Sequence, residues 1–295
     1  DRHYPGELTT QEAEAFIEDI AAFGAPVILF SGGEPLMRAD LFDLIARATR
    51  AGLRAVISTN GTLIEREVAE RLKEFGLSYV GVSLDGMRET NDKFRGREGA
   101  FDHALAGIRN CRKAGIKVGL RFTINKRNAA DVGDIFTLLR DEDIPRVCFY
   151  HLVYAGRGTA LMKEDLDHEQ TRRVVDLIID RTTELHAQGL PKEVLTVDNH
   201  ADGPYLYLRM LREGNPRAQQ VWELLQMNQG NSSGNGIGCV SWDGSVHPDQ
   251  FWRHVSLGNV KERPFSQIWT DLSNPLLARL KDKRPHVTGR CATCR

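Results

Sequence analysis

The 295 residues are 41% hydrophobic, enough to bury one large core or two modest ones and too many for a chain whose main state is disorder. Lysine and arginine (39) nearly balance aspartate and glutamate (40), leaving a formal net charge of -1, so no overall field for a polyanion exists and no nucleic-acid partner is expected. No apolar run reaches the length of a membrane span, and the opening DRHYPGELTT has neither a basic region nor an apolar signal core, which predicts a cytoplasmic protein without a membrane partner.

In chain order, the first predicted element is a helix opened by a capping box at Thr9 and Glu12, followed by Ala13, Phe16, Ile17 and Ile20 on one face. Five strands then follow: APVILF (25–30), RAVIST (54–59), SYVGVSL (78–84), IKVGLRFT (116–123) and RVCFYHL (146–152). Their near-continuous apolar character is that of parallel strands covered on both faces. Amphipathic stretches lie between them, with Leu41, Leu44, Ile45 and Ala48 on one face and Phe101, Ala104, Leu105, Ile108 and Cys111 on another. Recurring strand-helix units imply either a (β/α) barrel or an open doubly wound sheet. In an alternating architecture a strand should precede the Thr9 helix, so the first unit is expected to be incomplete, with its first strand upstream of Asp1. Both ends, Asp1 and CATCR, are expected to be cut.

Past residue 155 the rhythm changes. YAGRGTALMKED reads as a loop, Leu166 to His186 as a long helix, KEVLTV (192–197) as a strand of a second region, and 204–227 as a further helix. NQGNSSGNGIG is flexible by composition. GCVSWDGSVHP reads as a hairpin turning at Asp243-Gly244. The expected division is 1–160 for the barrel, 161–230 for a connecting helical region and 231–295 for a C-terminal region.

Ligands of parallel β/α folds sit at the carboxyl ends of the strands, where GGEP (32–35), STNGT (58–62), VSLDG (82–86), RFTIN (121–125) and YHLVYAGRG gather. Two consecutive glycines permit close backbone approach, and a fixed carboxylate accepts from an ammonium group. On Gly-Gly-Glu alone, a strand-to-helix turn with a capping acid reads equally well. The five cysteines, odd in number and thinly spread, suit free thiols and metal ligands in a reducing compartment.

Taken together, GGEP, STNG, SLDG, NDKFRGREGAF (91–101) and the terminal CATC occur in an order and spacing similar to the radical S-adenosylmethionine (SAM) superfamily, in the branch with a C-terminal SPASM or Twitch extension. The resemblance covers essentially the whole chain. It implies an α/β fold, a partial (β/α)6 TIM barrel lacking its first strand, with a small auxiliary-cluster region. The implied cofactors are SAM, an N-terminal [4Fe-4S] cluster and an auxiliary [4Fe-4S] cluster. Gly32, Gly33 and Glu34 match the loop that holds the SAM ammonium, stiffened by Pro35. Ser58, Asn60, Ser83 and Asp85 match rim positions near the ribose and methionyl group. Arg95 and Arg121 are candidates for the SAM carboxylate, with an ordinary ion pair as the alternative for each. The superfamily's C-x3-C-x2-C is absent from the sequence, so its cluster cysteines are expected upstream of Asp1, a catalytically dead homologue being the alternative. Cys111 and Cys148 read as core residues.

The stretch GCVSWDGSVHPDQFWRHVSLGNVKERPFSQIWTD resembles a SPASM hairpin in which Asp249 stands where a cysteine is expected. Asp249 reads as an unpaired loop acid rather than an oxygen ligand. The auxiliary ligands implied are Cys239, Cys291 and Cys294, and the hairpin and tail should meet in space. Overall the sequence is most similar to the tetrapyrrole-modifying members, above all those of haem d1 biosynthesis (NirJ type), which act on propionates of 12,18-didecarboxysirohaem. Decarboxylases of the alternative haem pathway and peptide-modifying SPASM maturases are the alternatives. A tetrapyrrole substrate, an electron donor such as flavodoxin or ferredoxin, and a monomeric state follow from the resemblance. Trp242, Phe251, Trp252 and Arg253 suit a flat, carboxylate-bearing ligand, and His200, His247 or His254 is a conceivable iron ligand. Outside the family, a zinc module at Cys291-x-x-Cys294 leaves the rim motifs unexplained, and a lysine-dependent aldolase lacks a convincing strand-end lysine.

Overall fold

A computed structural model describes residues 5–228 and 230–293. The elements run α1 (Thr10–Ala22), β1 (Val27–Phe30), α2 (Leu41–Arg50), β2 (Arg54–Thr59), α3 (Arg66–Glu74), β3 (Tyr79–Ser83), α4 (Arg88–Arg95), α5 (Ala100–Lys113), β4 (Lys117–Thr123), α6 (Val132–Asp141), β5 (Arg146–Tyr150), α7 (His168–Ala187), β6 (Glu193–Val197), α8 (Asp202–Arg212) and α9 (Ala218–Asn228). Beyond these lie β7 (Cys239–Val240), β8 (Ser245–His247), β9 (Gly258–Asn259), α10 (Phe265–Thr270), α11 (Pro275–Lys281) and α12 (Arg290–Thr293). Two compact units result: Val27–Thr49 with Leu53–Gln229, and Asp1–Pro26 with Arg50–Gly52 and Gly230–Arg295.

The larger unit is built on one six-stranded sheet in the order β1-β2-β3-β4-β5-β6, every pairing parallel. Sequential order without a switch point is the topology of a (β/α) barrel, and it removes the doubly wound alternative. The sheet reaches one strand further than expected, because KEVLTV pairs with β5 instead of opening a second region. Nor is every strand covered on both faces. In the central strands Val80, Val82, Val118, Leu120, Phe122, Val147 and Phe149 are buried on the helix side, where Phe149 stacks on Phe136 of α6 at 5.6 Å. The opposite face carries Tyr79, Arg121, Arg146 and Tyr150, and on the edge strand β1 both Val27 (44%) and Leu29 (49%) remain exposed. Continuous apolar sequence therefore overstated the cover on the inner face.

Helix boundaries follow local chemistry. α7 starts at a capping box between Asp167 and Gln170. The single helix expected over 204–227 is two, because Gly214 takes φ 65° and Pro216 cannot continue a hydrogen-bonded ladder. On α5, Gly107 lets the chain at Gly61 pass very close, since a Cβ there would meet the Gly61 carbonyl oxygen at 2.3 Å. Gly107→Ala is expected to cost about 1–3 kcal/mol by overpacking against backbone, read as a lowered urea midpoint. An unchanged midpoint would mean that the STNG turn moves aside freely.

The smaller unit joins distant stretches of chain. The Thr9 helix, expected in an incomplete first β/α unit, lies in this unit instead. Phe16 and Phe23 of α1 meet Phe265 at ring distances of 5.9 and 6.4 Å. Asp19 accepts from the Ser266 amide at 2.8 Å and its hydroxyl at 2.6 Å. The expected hairpin is present as β7-β8, extended by β9 to a three-stranded antiparallel sheet over Val246, Leu257, Ile268, Trp269 and Leu277. Ser233 and Gly234, in the stretch read as flexible, are buried, because the Ser233 hydroxyl donates to buried Asp249.

Candidate functional site

The loop after β1 turns at Gly32, whose φ of +129° suits glycine, and a Cβ there would find open space within 4 Å. Gly33 is equally exposed but lies outside the left-handed region. Glu34 then caps a short turn over Pro35–Met37, accepting from the Leu36 amide at 3.3 Å, with Pro35 buried. The same carboxylate accepts from the Thr59 hydroxyl at 2.6 Å and the Asn60 amide at 2.8 Å. Glu34 thus fastens the loop after β1 to the loop after β2, with acceptor capacity left for one more donor. Asn60 turns its side chain back to Thr62, accepting from the amide at 2.8 Å and the hydroxyl at 2.6 Å. Ser58 and Ser83 lie half-buried at the ends of β2 and β3.

Asp85 is buried and pairs with Arg95 at 2.5 Å, so two of the predicted rim residues neutralise each other. Three buried asparagines hold the loop in place, and sequence reading missed them. Asn91 accepts from the Asp85 amide at 3.0 Å, Asn128 donates to the Asp85 carbonyl at 3.0 Å, and Asn128 also accepts from the amide of Asn125 at 2.8 Å. The clue lay in the N-x-x-N spacing after RFT, which an amide cross-link explains. Arg121 differs from Arg95. Its guanidinium lies 4.5 Å over the Tyr150 ring, and it makes no ion pair among the described residues. Burial pushes the Tyr150 hydroxyl well above its ordinary range, so it stays protonated beside the cation.

A second missed pair stands where β5 and β6 end. His151 Nε2 lies 2.8 Å from Asp202 Oδ2, and Asn199 Nδ2 donates to the other Asp202 oxygen at 2.7 Å. The polar run VDNHAD after a strand was the available signal.

In the smaller unit Cys239 is half-buried on β7, where burial pushes its thiol up. Cys291 is exposed on α12, and Cys294 lies outside the described residues. Asp249 is not an unpaired acid. It is 7% exposed and accepts from the Ser233 hydroxyl and the Phe251 and Trp252 amides, the last two at 2.7 and 3.2 Å. A short acid at a tight turn meets its own downstream amides, which is the physical reason. His247 is likewise occupied on both ring nitrogens, by the Val255 carbonyl at 2.6 Å and the Ser241 hydroxyl at 2.9 Å. Cys111, fully buried on α5, has its thiol pushed up to about 12 by burial, and Cys148 is buried in β5. The raised Cys111 thiol does not suit a thiolate ligand.

Comparison with known proteins gives the class. Residues 1–139 match the Radical SAM superfamily and residues 234–295 match an iron-sulfur cluster-binding domain, SPASM. The chain is 65% identical over 298 residues to the Fe-coproporphyrin III synthase of Methanosarcina barkeri, covering all of this chain and 75% of that one. It is 43% identical to the pre-heme d1 synthase of Dinoroseobacter shibae, covering all of this chain and 73% of the relative. Among solved structures, Streptococcus suis SuiB bound to S-adenosylmethionine shares the fold with a TM-score of 0.76 at 16% identity, over 96% of this chain and 63% of that one. The protein belongs to the radical SAM superfamily, in the branch with a SPASM extension.

Its cofactors are accordingly SAM, a [4Fe-4S] cluster and auxiliary iron-sulfur clusters. The open glycine turn at Gly32 and the anchored Glu34 fit SAM. The residues of this chain do not supply the C-x3-C-x2-C of the superfamily cluster. Among the described residues no three His, Cys, Asp or Glu side chains come together to hold a metal, so Cys239 and Cys291 alone do not make an auxiliary site. No described helix is long and apolar enough to cross a membrane.

Proposed function

We propose that the protein is a SAM-dependent enzyme of haem-type biosynthesis that converts an iron tetrapyrrole bearing carboxylate side chains into one of the Fe-coproporphyrin III type. The 65% identity to an Fe-coproporphyrin III synthase over the whole chain carries this reading and favours it over pre-haem d1 formation, where the likeness is 43%. SAM, when bound and reduced at a [4Fe-4S] cluster fed by a flavodoxin or ferredoxin, supplies a radical able to abstract hydrogen. The chain's own residues bind and orient.

Gly32 and Gly33 bring main-chain groups against the methionyl end, Pro35 stiffens the turn, and the remaining lone pair of Glu34 takes the ammonium. Arg121, unpaired with any acid among the described residues, takes the SAM carboxylate, while Arg95 holds Asp85 for the ribose side together with Ser58, Asn60 and Ser83. Cys239, Cys291 and Cys294 are assigned to an auxiliary cluster completed by ligands from elsewhere in the protein.

The test is product analysis. Full-length protein prepared without oxygen is given SAM, a reductant and 12,18-didecarboxysirohaem, and the tetrapyrrole product is resolved by chromatography and mass. Co-elution with Fe-coproporphyrin III is expected; co-elution with pre-haem d1 would overturn the assignment.

A further inference from the structure

We propose that His151 supplies an axial nitrogen to the iron of the tetrapyrrole substrate, with Asp202 fixing the imidazole. The inference rests on the iron-tetrapyrrole reading above and adds a protein ligand to it. His151 is the first residue past β5, at the carboxyl end of the sheet, where ligands of parallel β/α folds bind. Its backbone amide donates to the Val197 carbonyl at 3.0 Å, so the residue is fixed to the end of β6 as well.

The ring is held at one nitrogen only. Nε2 lies 2.8 Å from Asp202 Oδ2, and the two side chains are 15% and 8% exposed. An ionised carboxylate only accepts, so Nε2 carries the hydrogen and Nδ1 keeps its lone pair. Nδ1 makes no hydrogen bond among the described residues, whereas His247 uses both of its nitrogens. Nδ1 is not among the unpartnered side-chain nitrogens sealed from solvent, so its lone pair is open to an incoming ligand. Metal-binding histidines typically donate their second nitrogen to a carboxylate, which orients the ring and strengthens the donor.

The kind of metal follows from what surrounds the pair. No cluster of three potential ligands exists among the described residues, so a free ion would find too few donors. An iron that arrives with four macrocycle nitrogens needs only one or two axial partners. His200 and His254, by contrast, lie exposed on the surface.

A purely structural tie between the end of β5 and the start of α8 would use the same hydrogen bond, so the test must read the iron itself. Full-length protein is titrated with ferric coproporphyrin III and, in parallel, with the metal-free porphyrin, following optical difference spectra and electron paramagnetic resonance. The wild type should show a nitrogen-ligated ferric signature. His151→Gln keeps a donor toward Asp202 and should lose that signature, binding the iron form at least tenfold more weakly and the metal-free form unchanged. In His151→Gly, added imidazole should restore the signature. Asp202→Asn should retain it with affinity lowered about 10–100-fold, as for removal of a metal ligand's carboxylate partner. An unchanged signature in His151→Gln, or a wild type that shows no protein nitrogen on the iron, overturns the proposal. Failure of either tetrapyrrole to bind the wild type overturns the functional reading instead, and the ligand assignment falls with it.

Discussion

Glu34→Gln is expected to raise the dissociation constant for SAM about 10–100-fold. In the native loop one carboxylate accepts from the Thr59 hydroxyl, the Asn60 amide and the Leu36 amide. A glutamine has a single acceptor atom, and its amide group would face the Asn60 N–H donor to donor. Hydrogen bonds to a charged partner contribute about 1.5–3 kcal/mol each, and 1.4 kcal/mol corresponds to a factor of ten in affinity. Loss of the ammonium contact, one such bond, yields the expected range. The measurement is SAM binding by calorimetry on the cluster-loaded full-length protein, with thermal unfolding as the companion. A dissociation constant within about threefold of wild type would remove Glu34 from the SAM rim, whatever its effect on the fold.

The second large effect belongs to Asp249. Removing it in Asp249→Ala leaves the Ser233 hydroxyl and the Phe251 and Trp252 amides without their acceptor in a buried place. Each abandoned donor costs about 1–3 kcal/mol, so a destabilisation of about 3 kcal/mol or more is expected. It should be confined to the smaller unit. Hydrogen exchange should speed up across 230–260 while β2 to β5 keep their protection. Iron per folded molecule discriminates the rival role, since loss of iron with unchanged exchange would make Asp249 a metal ligand after all.

Both predictions concern acids whose partners only the structure reveals, and they mark where sequence reading stops. Five strands and the α/β class were legible because apolar runs and helical faces repeat along the chain, and GGEP, STNG and SLDG fall where expected, at the carboxyl ends of β1, β2 and β3. Illegible were the bonds between those motifs. Glu34 reads as a ligand residue, yet it also clamps the neighbouring loop, and Asp85 and Arg95 occupy each other. Such pairings join residues 10 to 26 positions apart, one between the loops after β1 and β2 and the other between the loop after β3 and α4, distances at which spacing carries no signal. KEVLTV was misplaced for a related reason: a long loop and α7 separate it from β5, and only pairing with β5 shows which sheet it joins. Asp249 was misread because a turn acid looks the same in sequence whether its downstream amides close on it or not.

The smaller unit has one further consequence, for how the chain matures as it is synthesised. α1 leaves the ribosome long before its partners in the smaller unit. Asp19 and Ser266 are 247 residues apart, and the Leu8 amide donates to the Trp242 carbonyl at 2.7 Å. Closing a loop of that length opposes folding by about 5 kcal/mol on the (3/2)RT ln n scaling, and during translation the partner does not yet exist. Phe16 and Phe23 therefore wait for Phe265 while the six parallel strands are made. Nascent-chain order here is the reverse of spatial order. An apolar stretch left unpaired while the intervening residues are made is where holding factors and aggregation compete.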